Sequence, residues 1–287
     1  MDYDRIEKQD GAVFHHGKAN NRLYLMKWDG ENPGRILDAM NRLVAENGYT
    51  KIFIKVPEAQ AEFFTAQGFE EEARIPSYYG AEACIFMGKF LDPARKIVNP
   101  DIRETMNRNL TLARGKKPEA PPPLADGYTM RELYGDDCTR LADLYKLVFK
   151  TYPFPVHDPS YLEKTMEEHI AYFGIFSGDK LVAASSAEMD EDTSSVEFTD
   201  FATNPKYRGN SFASTLLGTM QKAMTERGIT TWYTIARALS AGMNITFAKA
   251  GYRYAGTLVN NTDISGTIES MNVWYRGETA ITRLREA

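Results

Sequence analysis

The sequence predicts an α+β fold in two parts, and three observations carry that expectation. Residues 128–287 alternate strand and helix signals in the order β-α-α-β-β-β-α-β-α-β-β, residues 1–91 carry a shorter alternation, and a proline-rich stretch lies between them. The 287 residues suffice for two domains or one large one, and 43% apolar with 25% charged residues is an ordinary globular composition. The expected division is 1–91, a connecting segment at 92–127, and 128–287.

Taken in order, Ala12-Val13-Phe14 and Leu23-Tyr24-Leu25-Met26 read as strands. Ile36, Leu37, Met40, Leu43 and Val44 recur at helical spacing over Pro33–Asn47, and Gly48 is placed to end that helix. Ile52–Val56 is a strand, Glu58–Gln67 a short helix stopped by Gly68, and Cys84–Phe90 a further strand. Pro100–Arg114 can form a connecting helix, and Gly115–Pro123 reads as a stiff, solvated linker. Strands then follow at Tyr128–Leu133, Ala171–Phe176, Lys180–Met189, Val196–Thr203, Trp232–Ile235, Tyr252–Val259 and Glu269–Tyr275. Helices are expected at Cys138–Phe149, Pro159–His169, Ser211–Arg227 and Gly242–Ala250.

The stretch from Ser195 to Leu217 organises the second part. Asn204-Pro205 stops its strand, since proline cannot donate to a ladder. Arg208-Gly209-Asn210-Ser211 is a tight basic turn, and apolar residues at 212, 216, 217, 220 and 224 mark one face of a helix. Strand, small-residue turn and helix N-terminus together make an anion cradle. Free N–H groups point one way there, and the helix dipole adds about half a positive charge. Gly209 and Ser211 let a phosphate approach the backbone, and Arg208 supplies a charge beside it.

Composition excludes other classes. A net charge of −5 without a basic block argues against a nucleic-acid partner and is compatible with a small cationic substrate. The acidic Met1-Asp2-Tyr3-Asp4 and the lack of a long apolar run lead us to expect neither secretory signal nor membrane span. Cys84 and Cys138 have no metal-like spacing and read as free thiols in a reducing cytoplasm. His15, His16, His157 and His169 form no ligand pattern, so no metal is expected.

Arg208-x-x-Ser211-x-Ala213 resembles the cofactor motif of the GNAT acetyltransferases, Arg/Gln-x-x-Gly-x-Gly/Ala, with Ser211 where that family usually has glycine. The element order of 128–287 is that family's order. Thr199–Thr203, Tyr233–Ala238, Gly242–Ile245, Val259–Thr262 and Glu269–Tyr275 bring the likeness to the branch that acetylates the terminal amine of β-lysine. The resemblance implies a mixed, mostly antiparallel sheet flanked by helices, acetyl-CoA as co-substrate, and direct transfer to a free diamino acid. It also implies a compatible solute as product and a cytoplasmic location. Phe64-Thr65-Ala66-Gln67-Gly68-Phe69 echoes Phe247-Ala248-Lys249-Ala250-Gly251-Tyr252, and residues 1–91 lack an Arg-x-x-Gly turn. The N-terminal part is therefore expected to be a degenerate GNAT-like half without the cradle. A homodimer is an assembly the sequence leaves open.

Under this resemblance Phe201, Ala202, Thr203, Arg208, Gly209, Asn210, Ser211, Phe212, Ala213, Asn244 and Phe247 are expected beside the cofactor. A primary amine with a pKa of about 10.4 must lose a proton before it attacks a thioester. Glu197, mid-strand beside the cradle, is the first candidate base. Asp200 points to the opposite face by strand alternation unless a bulge intervenes, in which case it holds the ammonium or acts as the base. Phe247 stands where many family members carry a tyrosine acid, so the leaving thiolate takes its proton from another residue (Tyr252 and Tyr254 are near in sequence) or from solvent. Asn244 either bonds the pantetheine arm or caps its helix, and Arg237 either clamps a substrate carboxylate or is a surface cation. Tyr152 and Phe154, in Tyr-Pro-Phe-Pro, are expected to form a lid over the acceptor. Asn260, Asn261, Glu269 and Asn272 are expected to line its other side, although a turn also explains Asn260-Asn261. Two competing readings are a different small amine, such as a polyamine or lysine, and a non-catalytic acetyl-CoA-binding sensor.

Overall fold

Helix-capping residues set much of the chain's punctuation. The computed structural model describes residues 3–277. The first half contains β1 (Arg5–Gln9), β2 (Ala12–Gly17), β3 (Arg22–Trp28), α1 (Pro33–Asn47), β4 (Lys51–Pro57), α2 (Glu58–Ala66), β5 (Glu70–Tyr79) and β6 (Glu82–Phe90). Helix α1 opens where the Asn32 side chain accepts the Arg35 N–H, and closes at Gly48 with φ 70°. Helix α3 (Pro100–Arg114) follows, capped by the Asn99 side chain, which accepts from Asp101 N. The second half runs β7 (Tyr128–Leu133), α4 (Cys138–Val148), α5 (Pro159–Glu168), β8 (Ile170–Ser177), β9 (Lys180–Asp190) and β10 (Ser195–Thr203). It continues through α6 (Phe212–Glu226), β11 (Thr231–Arg237), α7 (Ala241–Lys249), β12 (Arg253–Ile264) and β13 (Thr267–Gly277).

The thirteen strands of the described residues join one sheet in the order β1-β2-β3-β4-β6-β5-β12-β13-β11-β10-β9-β8-β7. Pairing is antiparallel except between β3 and β4 and between β10 and β11. This is the mixed, mostly antiparallel α+β architecture expected. The order β1 to β6, with α1 and α2, recurs as β8 to β13 with α6 and α7. The two copies meet through equivalent strands, β5 and β12, whose pairing rests on Gly256 opposite Ala73. A Cβ on Gly256 would lie 2.1 Å from the Glu72 carbonyl oxygen, so only glycine allows this approach. Beside it Lys51, fully buried, donates to both Glu72 carboxylate oxygens (2.9 and 2.8 Å) and to the Val259 carbonyl (2.8 Å). A shared core of Tyr24, Phe53, Ile75 and Phe86 against Tyr233, Leu258, Met271 and Val273 completes the seam. Each such large apolar side chain contributes about 1.5–3 kcal/mol when fully buried.

Three differences from the sequence reading have physical causes. Strand β1 is an edge strand, Arg-Ile-Glu-Lys-Gln, with one apolar residue in five. Strand β5 opens on three glutamates and contains Pro76, which obscures any alternation. Asn260-Asn261 is not the turn between the last strands. β12 runs on to Ile264 past an irregularity between Leu258 and Thr262, with Asn260 at φ 43°, and the turn falls at Ser265-Gly266. Segment 115–123 is exposed and laid against α6 and α7, with the Glu119 N–H donating to the Lys249 carbonyl at 2.8 Å. Cys84 and Cys138 are free and buried. No helix among the described residues is long and apolar enough to cross a membrane.

Candidate active site

Strand β10 is distorted on both sides. Toward β9 its register slips by one residue between Thr199 and Ala202, and Asp200 sits at φ 55°. The extra residue bends the strand and turns Asp200 into the space that Glu197 faces, which strict alternation forbids. Toward β11 it pairs only from Ser195 to Glu197, opposite Thr231 to Tyr233, and the two strands then part. The gap opens into a cleft of about 1460 Å³ lined by both carboxylates, the Arg208 turn and strands of the N-terminal half. That volume exceeds the roughly 300–1,000 Å³ of a single small-ligand site and has room for a nucleotide-bearing co-substrate and an acceptor.

The cradle lies at one end. Among the described residues the N–H groups of Gly209, Asn210 and Ser211 donate to no backbone carbonyl in the turn. Those of Phe212 and Ala213 open α6, where no preceding turn supplies an acceptor. Ser211 is the N-cap at φ 58° but its side chain caps nothing, and Gly209 takes φ 90°. Arg208 is exposed beside them and lines the cleft. Nothing stands within 4 Å of where a Gly209 Cβ would be, so a phosphate can reach these amides. Phe201, Thr203, Asn210, Phe212 and Ala213 line the same end, whereas Ala202 is buried in the core behind it.

At the fork the two carboxylates differ. Asp200 is engaged at both oxygens: Ser186 Oγ–H donates to Oδ2 at 2.7 Å, and the Tyr152 hydroxyl donates to Oδ1. Burial raises the Asp200 pKa, and these two hydrogen bonds oppose the rise. Glu197 has no ion pair among the described residues. Burial pushes its pKa up to about 8, and the facing carboxylate of Glu188, its cross-strand partner, adds to the push. Lys55 and the Tyr233 hydroxyl pull the other way. A carboxyl group titrating there is poised for general base chemistry near neutral pH.

The far wall comes from the N-terminal half, because the twisted sheet curls until β3 and β4 face β10 and β11. Arg22, Tyr24 and Met26 of β3, Phe53 and Lys55 of β4, and Tyr78 of β5 line the cleft. Lys55 Nζ donates to the Tyr233 hydroxyl at 3.4 Å. Burial would strip its proton, but the oxygens of Tyr233, Tyr24, Tyr78 and Glu197 outweigh burial and hold its pKa well above the usual lysine value. Sequence reasoning missed this wall. Its signal is a cation or aromatic at alternate positions (22, 24 and 51, 53, 55) in strands whose other face is aliphatic.

The remaining expected residues divide. Tyr152 and Phe154 line the cleft, and the Phe154 ring packs on His15 at 4.5 Å, so the Tyr-Pro-Phe-Pro loop spans from β10 to the N-terminal half. Asn261 lines the cleft with its Oδ1 buried and without a partner among the described residues. Arg237 lines it too, but its guanidinium is engaged by Glu269 at 3.0 and 2.7 Å. Asn244 is neither helix cap nor cleft residue. Ser240 caps α7, while buried Asn244 donates to the Arg237 and Ser240 carbonyls and accepts from Asn272 Nδ2 and Trp274 Nε1. Asn272 is locked by that bond and by the Thr257 hydroxyl, and Asn260 donates its side-chain amide to the Arg95 and Ile97 carbonyls. Phe247 borders the cleft from the core, edge-on to Phe201 and Tyr252. The Tyr252 hydroxyl accepts from Gln221 and the Tyr254 hydroxyl bonds Thr257, so neither is directed to the fork.

Comparison with known proteins identifies relatives of nearly the whole chain. Residues 141–252 match the sequence model of the Acetyltransferase (GNAT) family. The chain is 37% identical over 275 residues to a beta-lysine N(6)-acetyltransferase of Methanococcus maripaludis, covering 95% of this chain and 98% of that one. It is 34% identical over 271 residues to the N-acetyltransferase YodP of Bacillus subtilis, covering 92% and 95%. A beta-lysine N(6)-acetyltransferase of Methanosarcina mazei is 30% identical over 260 residues, covering 84% and 96%.

Proposed function

The chain belongs to the GNAT acetyltransferase family, and from that premise we propose that it transfers the acetyl group of acetyl-CoA to the terminal amine of β-lysine, with Glu197 as the base. The observation that carries the reading is the parting of β10 from β11 just past Glu197, with the unpaired amides of Gly209 to Ala213 farther along the same gap. Those amides and Arg208 would hold the pyrophosphate, and the separated strands leave room for the pantetheine arm. Acetyl-CoA supplies an acetyl group activated as a thioester. Glu197 takes the proton from the acceptor ammonium, so that the neutral amine forms the new C–N bond as the C–S bond breaks. Asp200, held by Ser186 and Tyr152, orients the lid over the acceptor and contributes negative charge that favours an ammonium ion. The nitrogen sheds its second proton as the amide forms, and the departing thiolate takes that proton through water, so the reading assigns no protein acid to the thiolate.

Acetylation removes one positive charge, converting a diamino acid cation into a net-neutral zwitterion. That is a suitable form for a solute accumulated in the cytoplasm without a counter-ion, where we place the enzyme. Thiol release should be measured across β-lysine, lysine and simple diamines, with the acetylated nitrogen located by NMR. The highest kcat/KM with β-lysine, modified at its terminal nitrogen, is expected. Preference for a diamine would replace the acceptor, and cofactor binding without turnover on any amine would leave only a sensor.

A further inference from the structure

The acceptor proposed above carries a carboxylate and a second amine that the fork does not address. Among the guanidinium groups lining the cleft, Arg22 is distinctive. It is 4% exposed yet has no ion pair among the described residues. Its Nη1 donates to the Asn261 carbonyl at 2.7 Å and more distantly to Thr262 Oγ1, while its buried Nε has no partner among the described residues. The group lies over the adjacent Tyr24 and Phe53 rings, 5.2 and 5.6 Å from their centroids. The edge formed by Nε and Nη2 is the one that meets a carboxylate with two parallel hydrogen bonds. Next to it Asn261, 1% exposed, has its Oδ1 unpartnered, an acceptor with nothing to accept.

The other candidates for this role are already occupied. Arg237 is held by Glu269, and Lys55 sits at the fork against the Tyr233 hydroxyl. Arg95 lies outside the cleft, with its nitrogens donating to the Asn260 carbonyl, Thr50 Oγ1 and the Asn20 carbonyl. Arg22 and Lys55 lie by the same Tyr24 ring, at 5.2 and 5.7 Å, and Lys55 reaches Tyr233, the residue paired with Glu197. One aromatic ring and one ammonium group therefore separate the Arg22 end from the fork, a span suited to an extended lysine-sized molecule. His15, cross-strand from Tyr24, carries the Phe154 ring over this end.

We propose that Arg22 clamps the acceptor's carboxylate through its Nε–Nη2 edge while Asn261 Oδ1 accepts from the acceptor's second ammonium, so that the N-terminal half supplies the acceptor's specificity. This rests on the diamino acid reading above. The test compares wild type with Arg22→Met, Arg22→Lys and Asn261→Leu on β-lysine and on its decarboxylated diamine. Thermal melting and calorimetric binding of CoA report that each variant is folded. The wild-type preference for β-lysine over the diamine, a ratio of kcat/KM values, should collapse about a hundredfold in Arg22→Met, chiefly through KM, as expected for loss of a bidentate charged contact. Arg22→Lys should recover part of it, and Asn261→Leu should raise KM for β-lysine about tenfold. Equal losses on both acceptors in a folded Arg22→Met would overturn this inference alone. Were Arg22→Met unfolded, a folded Arg22→Lys with undiminished preference would do the same. If wild type turned over only amines lacking a carboxylate, the diamino acid reading would fall and this inference with it.

Discussion

The two halves of the molecule repeat one scaffold but differ at one turn. After β10, Ser211 takes φ 58° as an N-cap, its side chain caps nothing, and the amides around it are unpaired. After β3, Asn32 takes φ 47° at the equivalent N-cap, but its side-chain oxygen receives the Arg35 N–H and the next residue, Pro33, has no N–H. Around the first turn stands Arg208. Around the second stand Asp29 and Glu31, with Arg35 drawn away to Asp10 at 2.7 Å. The carboxylate is missing as well: in the parallel pairing Tyr24 lies opposite Phe53 at the third position, where Glu197 lies opposite Tyr233. Strand, turn and helix are thus insufficient for an anion site. What makes one is amides left without partners and no anion already beside them.

Breaking this comparison at the carboxylate should have the largest effect. Glu197→Gln is expected to lower kcat by about a hundredfold or more with CoA affinity retained, the usual cost of losing a general base. A loss below about tenfold would remove Glu197 from that role. Cutting the seam comes next. Lys51→Met leaves Glu72 buried without its partner, and urea titration should show a loss of about 3–5 kcal/mol. A change under 1 kcal/mol, on the order of a surface pair, would mean that the two halves are held without it. The turns can then be set against each other. Gly209→Ala imposes a side chain at φ 90° and should weaken CoA binding about tenfold. Gly30→Ala, at φ 84° in the silent turn, should leave that affinity unchanged, and matching losses would show that the two turns are not functionally distinct.

The pH dependence sharpens the contrast further. As a base Glu197 must be ionised, so kcat/KM should rise with pH through about 8. Lys55 stabilises its charged form, so Lys55→Met should move that limb to higher pH, and an unmoved limb would place the titration elsewhere. Stability runs in the opposite sense. With the folded value raised, the native state keeps a proton that the unfolded chain loses. The contribution is therefore complete only below the ordinary carboxyl value of about 4.5 and is lost progressively as pH rises to about 8. Glu197→Gln should match the wild-type Tm below about pH 4.5 and exceed it increasingly up to about pH 8 and beyond. The smallest effect is expected from Ser211→Gly, which relieves left-handed backbone at some entropic cost and should stabilise by about 0.5 kcal/mol.

Local chemistry made much of this legible in the sequence. Asn32-Pro33 with Gly48, and Asn99-Pro100, mark their helices because capping is decided within a few residues. The aromatic echo reports real similarity: Phe64 meets Phe69 and Phe247 meets Tyr252 edge-on, across Gly68 and Gly251 at φ 84° and 83°. The orientation of Asp200 was not legible, because a one-residue register slip leaves no trace in a period of two. Nor was the engagement of Arg237 by Glu269 or the burial of Asn244 under Trp274, both settled by which strands become neighbours. Arg22 and Lys55 escaped for the same reason. A charged residue in a strand shows its partner only once the sheet has closed around it.

The meeting of β5 with β12 places like against like in opposite directions, the arrangement by which two identical subunits associate about a twofold axis. Here a single polypeptide holds both members, so they need not stay alike. One member is free to change its side chains for a new guest while the other keeps its reaction machinery, and selectivity can evolve without disturbing turnover.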